Sequence, residues 1–194
     1  MNARCQKLFR MVKNRDGFTL IEMLIVIIIL GILAMVIIPQ ITVSTEDAKV
    51  STLKANLSGV RGTIEVYYAQ HNMTYPGVLP DGINAAGTAL AFVNQLTQFT
   101  DVNGKISGTK DAAATPPIIY GPYIKGGALP ANPFVTDTTK ANQVSLAALT
   151  TPYDNVTTTK VPITGGNGWA YWPTVGVFFA NDGLKTSDVD HFTY

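Results

Sequence analysis

Residues 18–38 read FTLIEMLIVIIILGILAMVII, an apolar run broken only by Thr19, Glu22 and Gly31. As a helix these 21 residues would extend about 31 Å, the hydrocarbon thickness of a bilayer. The preceding segment, MNARCQKLFRMVKNRDG, carries Arg4, Lys7, Arg10, Lys13 and Arg15 against Asp16 alone. Basic residues flanking a spanning helix stay in the cytoplasm, so the chain beyond Pro39 is expected on the far side of the membrane.

A secretory signal peptide would have a shorter apolar core and an A-x-A-like cleavage site; the nearest approach after this run is Thr42-Val43-Ser44. A plain signal anchor fits the length and the orientation but leaves Glu22 without a reason. A carboxylate inside a spanning helix costs roughly 2.5–3.5 kcal/mol on insertion scales, which marks it as functional.

The junction Gly17-Phe18-Thr19-Leu20-Ile21-Glu22, between a short basic leader and an apolar helix, resembles the class III signal of type IV pilins and type II secretion pseudopilins. That resemblance implies cleavage by a prepilin peptidase after Gly17, N-methylation of Phe18 and a role for Glu22 in subunit assembly. In a filament, Glu22 of an arriving subunit would pair with the Phe18 ammonium of a docked neighbour, since two charges costly in hydrocarbon offset each other at close range; the alternative is that Glu22 snorkels or pairs within its own chain. The implied partners are other copies in a filament, minor pilins or pseudopilins, the peptidase and an inner-membrane assembly platform. The implied location is the inner membrane, single-pass, with a periplasmic C-terminal domain, and then the filament.

The domain organisation follows: a leader over 1–17, a membrane or filament-core helix over 18–38, an amphipathic spine over 39–75 and a globular head over 76–194. Val50, Leu53, Leu57, Val60, Ile64, Tyr67 and His71 recur at intervals of three and four, which places them on one stripe of the spine. Lys49, Lys54, Arg61 and Glu65 fall off that stripe and read as a solvated face. Phe18 to about Met73 could form one helix of roughly 84 Å, with Gly31 and Pro39 as its points of flexibility or kinking.

Past Tyr75-Pro76-Gly77 the chain is rich in Gly, Pro, Thr and Asn. Ala89 to Phe99 spaces Leu90, Val93 and Leu96 as a short helix, while Ile118–Ile124, Val156–Ile163, Gly168–Trp172 and Val175–Ala180 read as strands. The expected fold is α+β, a long N-terminal helix packed against a small antiparallel sheet. The loop around Pro130-Ala131-Asn132-Pro133, followed by Gly166-Asn167-Gly168-Trp169-Ala170-Tyr171, is similar to the C-terminal half of major pseudopilins. Residues 181–190 are rich in oxygen ligands, and the same resemblance implies calcium there, with Asp182, Asp188 and Asp190 as candidate ligands.

No catalytic motif accompanies His71 or His191, no phosphate loop occurs, and a single cysteine, Cys5, precludes an intrachain disulfide. An enzyme is not expected. The whole chain carries a formal charge of +1, which offers no polyphosphate-binding excess, and nucleic acid is not an expected partner. Without the leader, nine basic residues face twelve acidic ones, net −3, and no cysteine remains. A cysteine-free mature chain tips the reading towards a type II secretion pseudopilus subunit driving protein export. A type IV pilin for adhesion, motility or DNA uptake is the alternative. A membrane-anchored periplasmic binding module that never polymerises is an alternative of another class; it would need neither the peptidase junction nor Glu22.

Overall fold

The computed structural model describes residues 17–150, 166–183, 185–186, 189–191 and 194, with backbone alone for 36–44, 185, 186 and 189. The chain forms two compact units, Met1–Thr45 and Glu46–Tyr194, and the helix α1, Leu20–Gln70, contributes to both.

In the first unit every described side chain from Gly17 to Met35 is exposed. Leu20 is 92% exposed and Ile27 61%. A helix that is apolar on nearly all faces has no single stripe for one neighbouring element to cover. Among the described residues no helix is long and apolar enough to cross a membrane; the run is described with side chains only as far as Met35. The helix is continuous through Gly31 and Pro39.

In the second unit the stripe is covered as expected. Leu53, Leu57, Val60, Ile64 and Tyr67 are buried in one cluster with Phe92, Leu96, Val144, Trp169, Tyr171 and Phe178. Val50 is half-buried, and His71 is buried. α1 stops at Gln70, short of Met73, because Asn72 and Met73 adopt left-handed backbone (φ 52° and 55°), a common way of ending a helix.

A second helix, α2 (Ala89–Thr97), is capped by the Thr88 hydroxyl, which accepts from the Ala91 N–H at 3.2 Å. Its buried face is Ala91, Phe92, Gln95 and Leu96. Of the residues expected there only Leu96 is fully buried; Val93 is half-buried and Leu90 is 63% exposed. Periodicity missed Gln95 because it is polar. Its carbonyl oxygen accepts from the Gly77 N–H (2.7 Å), and its amide donates to the carbonyls of Leu79 (3.1 Å) and Gly104 (3.0 Å), so two loops converge on one side chain.

Strands β1 (Phe99–Thr100) and β2 (Ile106–Ser107) form an antiparallel pair. The main sheet joins β3 (Val144–Leu146), β4 (Trp169–Trp172) and β5 (Val177–Ala180) in that order. β4 and β5 are the expected antiparallel hairpin, while β3 adds to β4 in parallel, Ser145 opposite Ala170. β4 is buried on both faces, one in the main cluster through Trp169 and Tyr171 and one in a smaller cluster of Ala147, Ala170, Trp172 and Phe179. Two short strands, β6 (Lys185–Thr186) and β7 (Val189–Asp190), form a separate antiparallel pair.

The strand expected over Ile118–Ile124 is reduced to isolated bridges of Tyr120 to Thr100 and Ile118 to Asp111. Gly121-Pro122 interrupts it, since proline has no N–H for a ladder. The strand expected over Val156–Ile163 lies outside the described residues.

Buried ionisable groups make the head acid-sensitive. Burial alone would raise the Asp81 carboxyl, but hydrogen bonds from the Asn84 backbone and side chain, the Ile83 amide and Asn94 outweigh it and hold it below the usual aspartate value. Its contribution is therefore present above an unfolded-chain pKa of 3.8 and is lost as pH falls through the lower folded value. Burial lowers His71 too, despite the Tyr67 carbonyl 2.8 Å from Nδ1. The unfolded chain takes up that proton first, so stability begins to fall as pH drops through 6.5. Asp81→Asn should lower the urea midpoint at neutral pH and flatten its decline below about pH 4, followed by tryptophan fluorescence. An acid limb as steep as that of the unmodified chain would refute the assignment.

Candidate functional site

Gly17, Phe18 and Thr19 lie outside the helix, whose first residue is Leu20. The cause is a capping box, in which an N-cap hydroxyl and a carboxylate three residues on exchange hydrogen bonds with each other's N–H groups. The Thr19 hydroxyl accepts from the Glu22 N–H at 3.3 Å, and Glu22 Oε2 accepts from the Thr19 N–H at 2.7 Å. The same Oε2 accepts from the Thr19 hydroxyl at 2.7 Å. The threonine and glutamate three apart ahead of an apolar run are legible in sequence as this box, but the cost of a carboxylate in an apolar helix drew attention to Glu22 alone.

The Gly17–Phe18 bond therefore sits in non-helical chain, with Phe18 78% exposed. Hydrolysis there would create an ammonium on Phe18, one residue before the capping threonine. Of the sequence-derived site residues, Gly17, Phe18 and Glu22 are brought together at the start of α1. Gly31 and Pro39 lie further along the same helix, Gly31 with open space where a Cβ would be.

The C-terminal loop has a different organisation. Asp182 Oδ2 accepts from Asn132 Nδ2 at 2.8 Å, and its Oδ1 lies 3.1 Å from His191 Nδ1. His191 is itself buried, with its ring centroid 4.1 Å from that of Phe134. Asn132 also donates from Nδ2 to the Gly168 carbonyl (2.9 Å) and accepts at Oδ1 from the Phe134 N–H (3.0 Å). This buried asparagine ties the Pro-x-Asn-Pro loop to the hairpin and to the loop after it. Among the described residues no group of three metal-ligating side chains assembles, and both Asp182 oxygens are engaged within the protein. Asp188 lies outside the described residues. The described donors do not make a calcium cage.

The basic face of α1 also departs from expectation. Arg61 is half-buried, its Nε donating to the Phe178 carbonyl at 2.8 Å and its Nη1 to the Tyr194 carbonyl at 2.5 Å. Lys54 Nζ lies 4.3 Å from the centre of the Tyr194 ring. Lys49 and Glu65 are exposed, as expected of a solvated face. Arg61 was misjudged because α1 carries a second contact, with the C-terminal segment, beside its apolar stripe, while Lys54 stays exposed.

Residues 12–38 match the family model described as the prokaryotic N-terminal methylation motif. The chain is 36% identical over 64 residues to the type II secretion system core protein G of Pseudomonas aeruginosa, covering 33% of this chain and 44% of that one. It is 37% identical over 91 residues to a fimbrial protein of Neisseria meningitidis, covering 47% and 46% of the two chains. Against the type IV major pilin protein PilE of Neisseria gonorrhoeae the identity is 40% over 75 residues, 39% and 42% of the two. The chain thus spans less than half the length of these curated relatives. No solved structure matches it. With a methylation motif that spans the capped start of an apolar helix, and relatives of both filament classes, the chain is similar in its N-terminal part to type IV pilins and type II secretion pseudopilins.

Proposed function

We propose that this chain is a filament subunit, cleaved between Gly17 and Phe18, methylated on Phe18 and assembled through its apolar N-terminal helix into a type II secretion pseudopilus that drives protein export. The observation that carries this reading is the junction itself, a scissile bond held outside the helix beside a carboxylate that an apolar environment penalises. Similarity to two secretion core proteins G and a cysteine-free mature chain favour the pseudopilus. The similarity to the fimbrial protein, which covers more of the chain, supports a surface pilus as the second reading.

In this reading residues 18–38 anchor the subunit in the inner membrane before assembly, with the head in the periplasm. Mass spectrometry of the chain from its native membranes should find Phe18 as a methylated N-terminus. An intact leader would refute processing and favour a non-polymerising anchored module. Deleting the chain should abolish secretion while leaving surface pili in place; the reverse result would assign it to a pilus.

A further inference from the structure

The geometry points to Thr19 as a positioning residue for Glu22, an inference that rests on the filament reading above. Both Thr19 donors, its N–H and its hydroxyl, converge on a single carboxylate oxygen, Oε2, each at 2.7 Å. The Glu22 N–H returns to the same hydroxyl at 3.3 Å, which closes the ring and restricts the glutamate side chain. Among the described residues no hydrogen bond reaches Oε1, which leaves that oxygen to an outside donor.

Two consequences follow for a subunit with apolar surroundings. Bonding to Oε2 reduces the cost of holding a carboxylate in the helix before a partner is available. It also fixes where Oε1 points, so that the ammonium of a neighbouring copy meets an oriented acceptor and not a freely rotating side chain. The box is complete within one chain, so Thr19 acts before docking and needs no contact with the neighbour.

Valine keeps the β-branched shape of threonine and removes the hydroxyl, while serine keeps the hydroxyl and removes the methyl. In the full-length chain produced with its own processing and assembly machinery, Thr19→Val should still be cleaved at Gly17. It should enter filaments about fivefold less than the unmodified chain, the factor a typical helix cap contributes. Thr19→Ser should restore incorporation. The readout is the ratio of processed chain in sheared filaments to processed chain in membranes. Equal incorporation of the valine variant would overturn the inference, as would a serine variant impaired as severely as the valine one, which would assign Thr19 a packing role. The bond itself is read from the residue 19 amide proton in the detergent-solubilised chain, which should move upfield in Glu22→Gln; no shift would overturn the inference. An unmodified chain that is never cleaved, or is cleaved and never enters a filament, would instead overturn the filament reading.

Discussion

Gly168→Ala should destabilise the head by about 3 kcal/mol or more, the upper end of what overpacking costs where nothing can relax. Gly168 is buried immediately before Trp169. A Cβ there would overlap the Ala141 carbonyl oxygen and lie 2.8 Å from its carbon and 3.1 Å from the Asn132 Cβ. The obstruction is mostly backbone, so no side chain can swing aside. Gly168 cannot retreat either, because its N–H donates to the Lys140 carbonyl (2.8 Å) and its carbonyl accepts from Asn132 Nδ2 (2.9 Å) and the Asn181 N–H (3.0 Å). Displacing it also strains Trp169, whose indole N–H donates to the Pro130 carbonyl at 2.8 Å. Urea unfolding followed by tryptophan fluorescence measures the loss. Gly108→Ala, where a Cβ meets nothing within 4 Å, should stay within about 0.5 kcal/mol. Equal midpoints for the two variants would show that the close approach at Gly168 is not a constraint.

Glu22→Ala should leave the chain processed at Gly17 and prevent its incorporation into filaments. Alanine also removes the Glu22 half of the capping box, so Glu22→Gln, which keeps an oxygen acceptor for Thr19 without the charge, should fail to assemble as well. A loss of assembly then reports the missing partner for the Phe18 ammonium. An ammonium without its carboxylate in a low-dielectric filament core is the uncompensated case, with a cost of about 3–5 kcal/mol per interface when one partner is removed. Repeated along a filament, that cost is prohibitive. Normal filaments built from the alanine variant would refute the pairing.

The two halves of the chain differ in how much of them the sequence exposes. The junction, the apolar run and the Leu53 to Tyr67 stripe are local patterns whose meaning depends on spacing alone, and α1 follows them closely. The β4–β5 hairpin was legible for the same reason, two apolar segments either side of a turn. β3 was not, because three residues, Val144 to Leu146, carry no period; they become a strand by pairing with β4. The proline at Pro122 was visible, but its effect on the segment before it depends on which neighbours offer hydrogen bonds.

Polar residues show the same division at the level of single side chains. Gln95, Asn132, Asp182 and Arg61 each connect segments distant in the chain, and a polar residue read in isolation defaults to solvent. The sequence by itself determined the apolar helix, its capped start and the face of α1 that is buried, since each needs only covalent order and helical periodicity. Only the tertiary structure decided that Gln95 ties Gly77 to Gly104, that Asn132 joins the loops around the hairpin, and that Arg61 faces the C-terminal segment. Those choices depend on which donors and acceptors meet once the apolar groups are buried, and spacing along the chain does not encode that meeting.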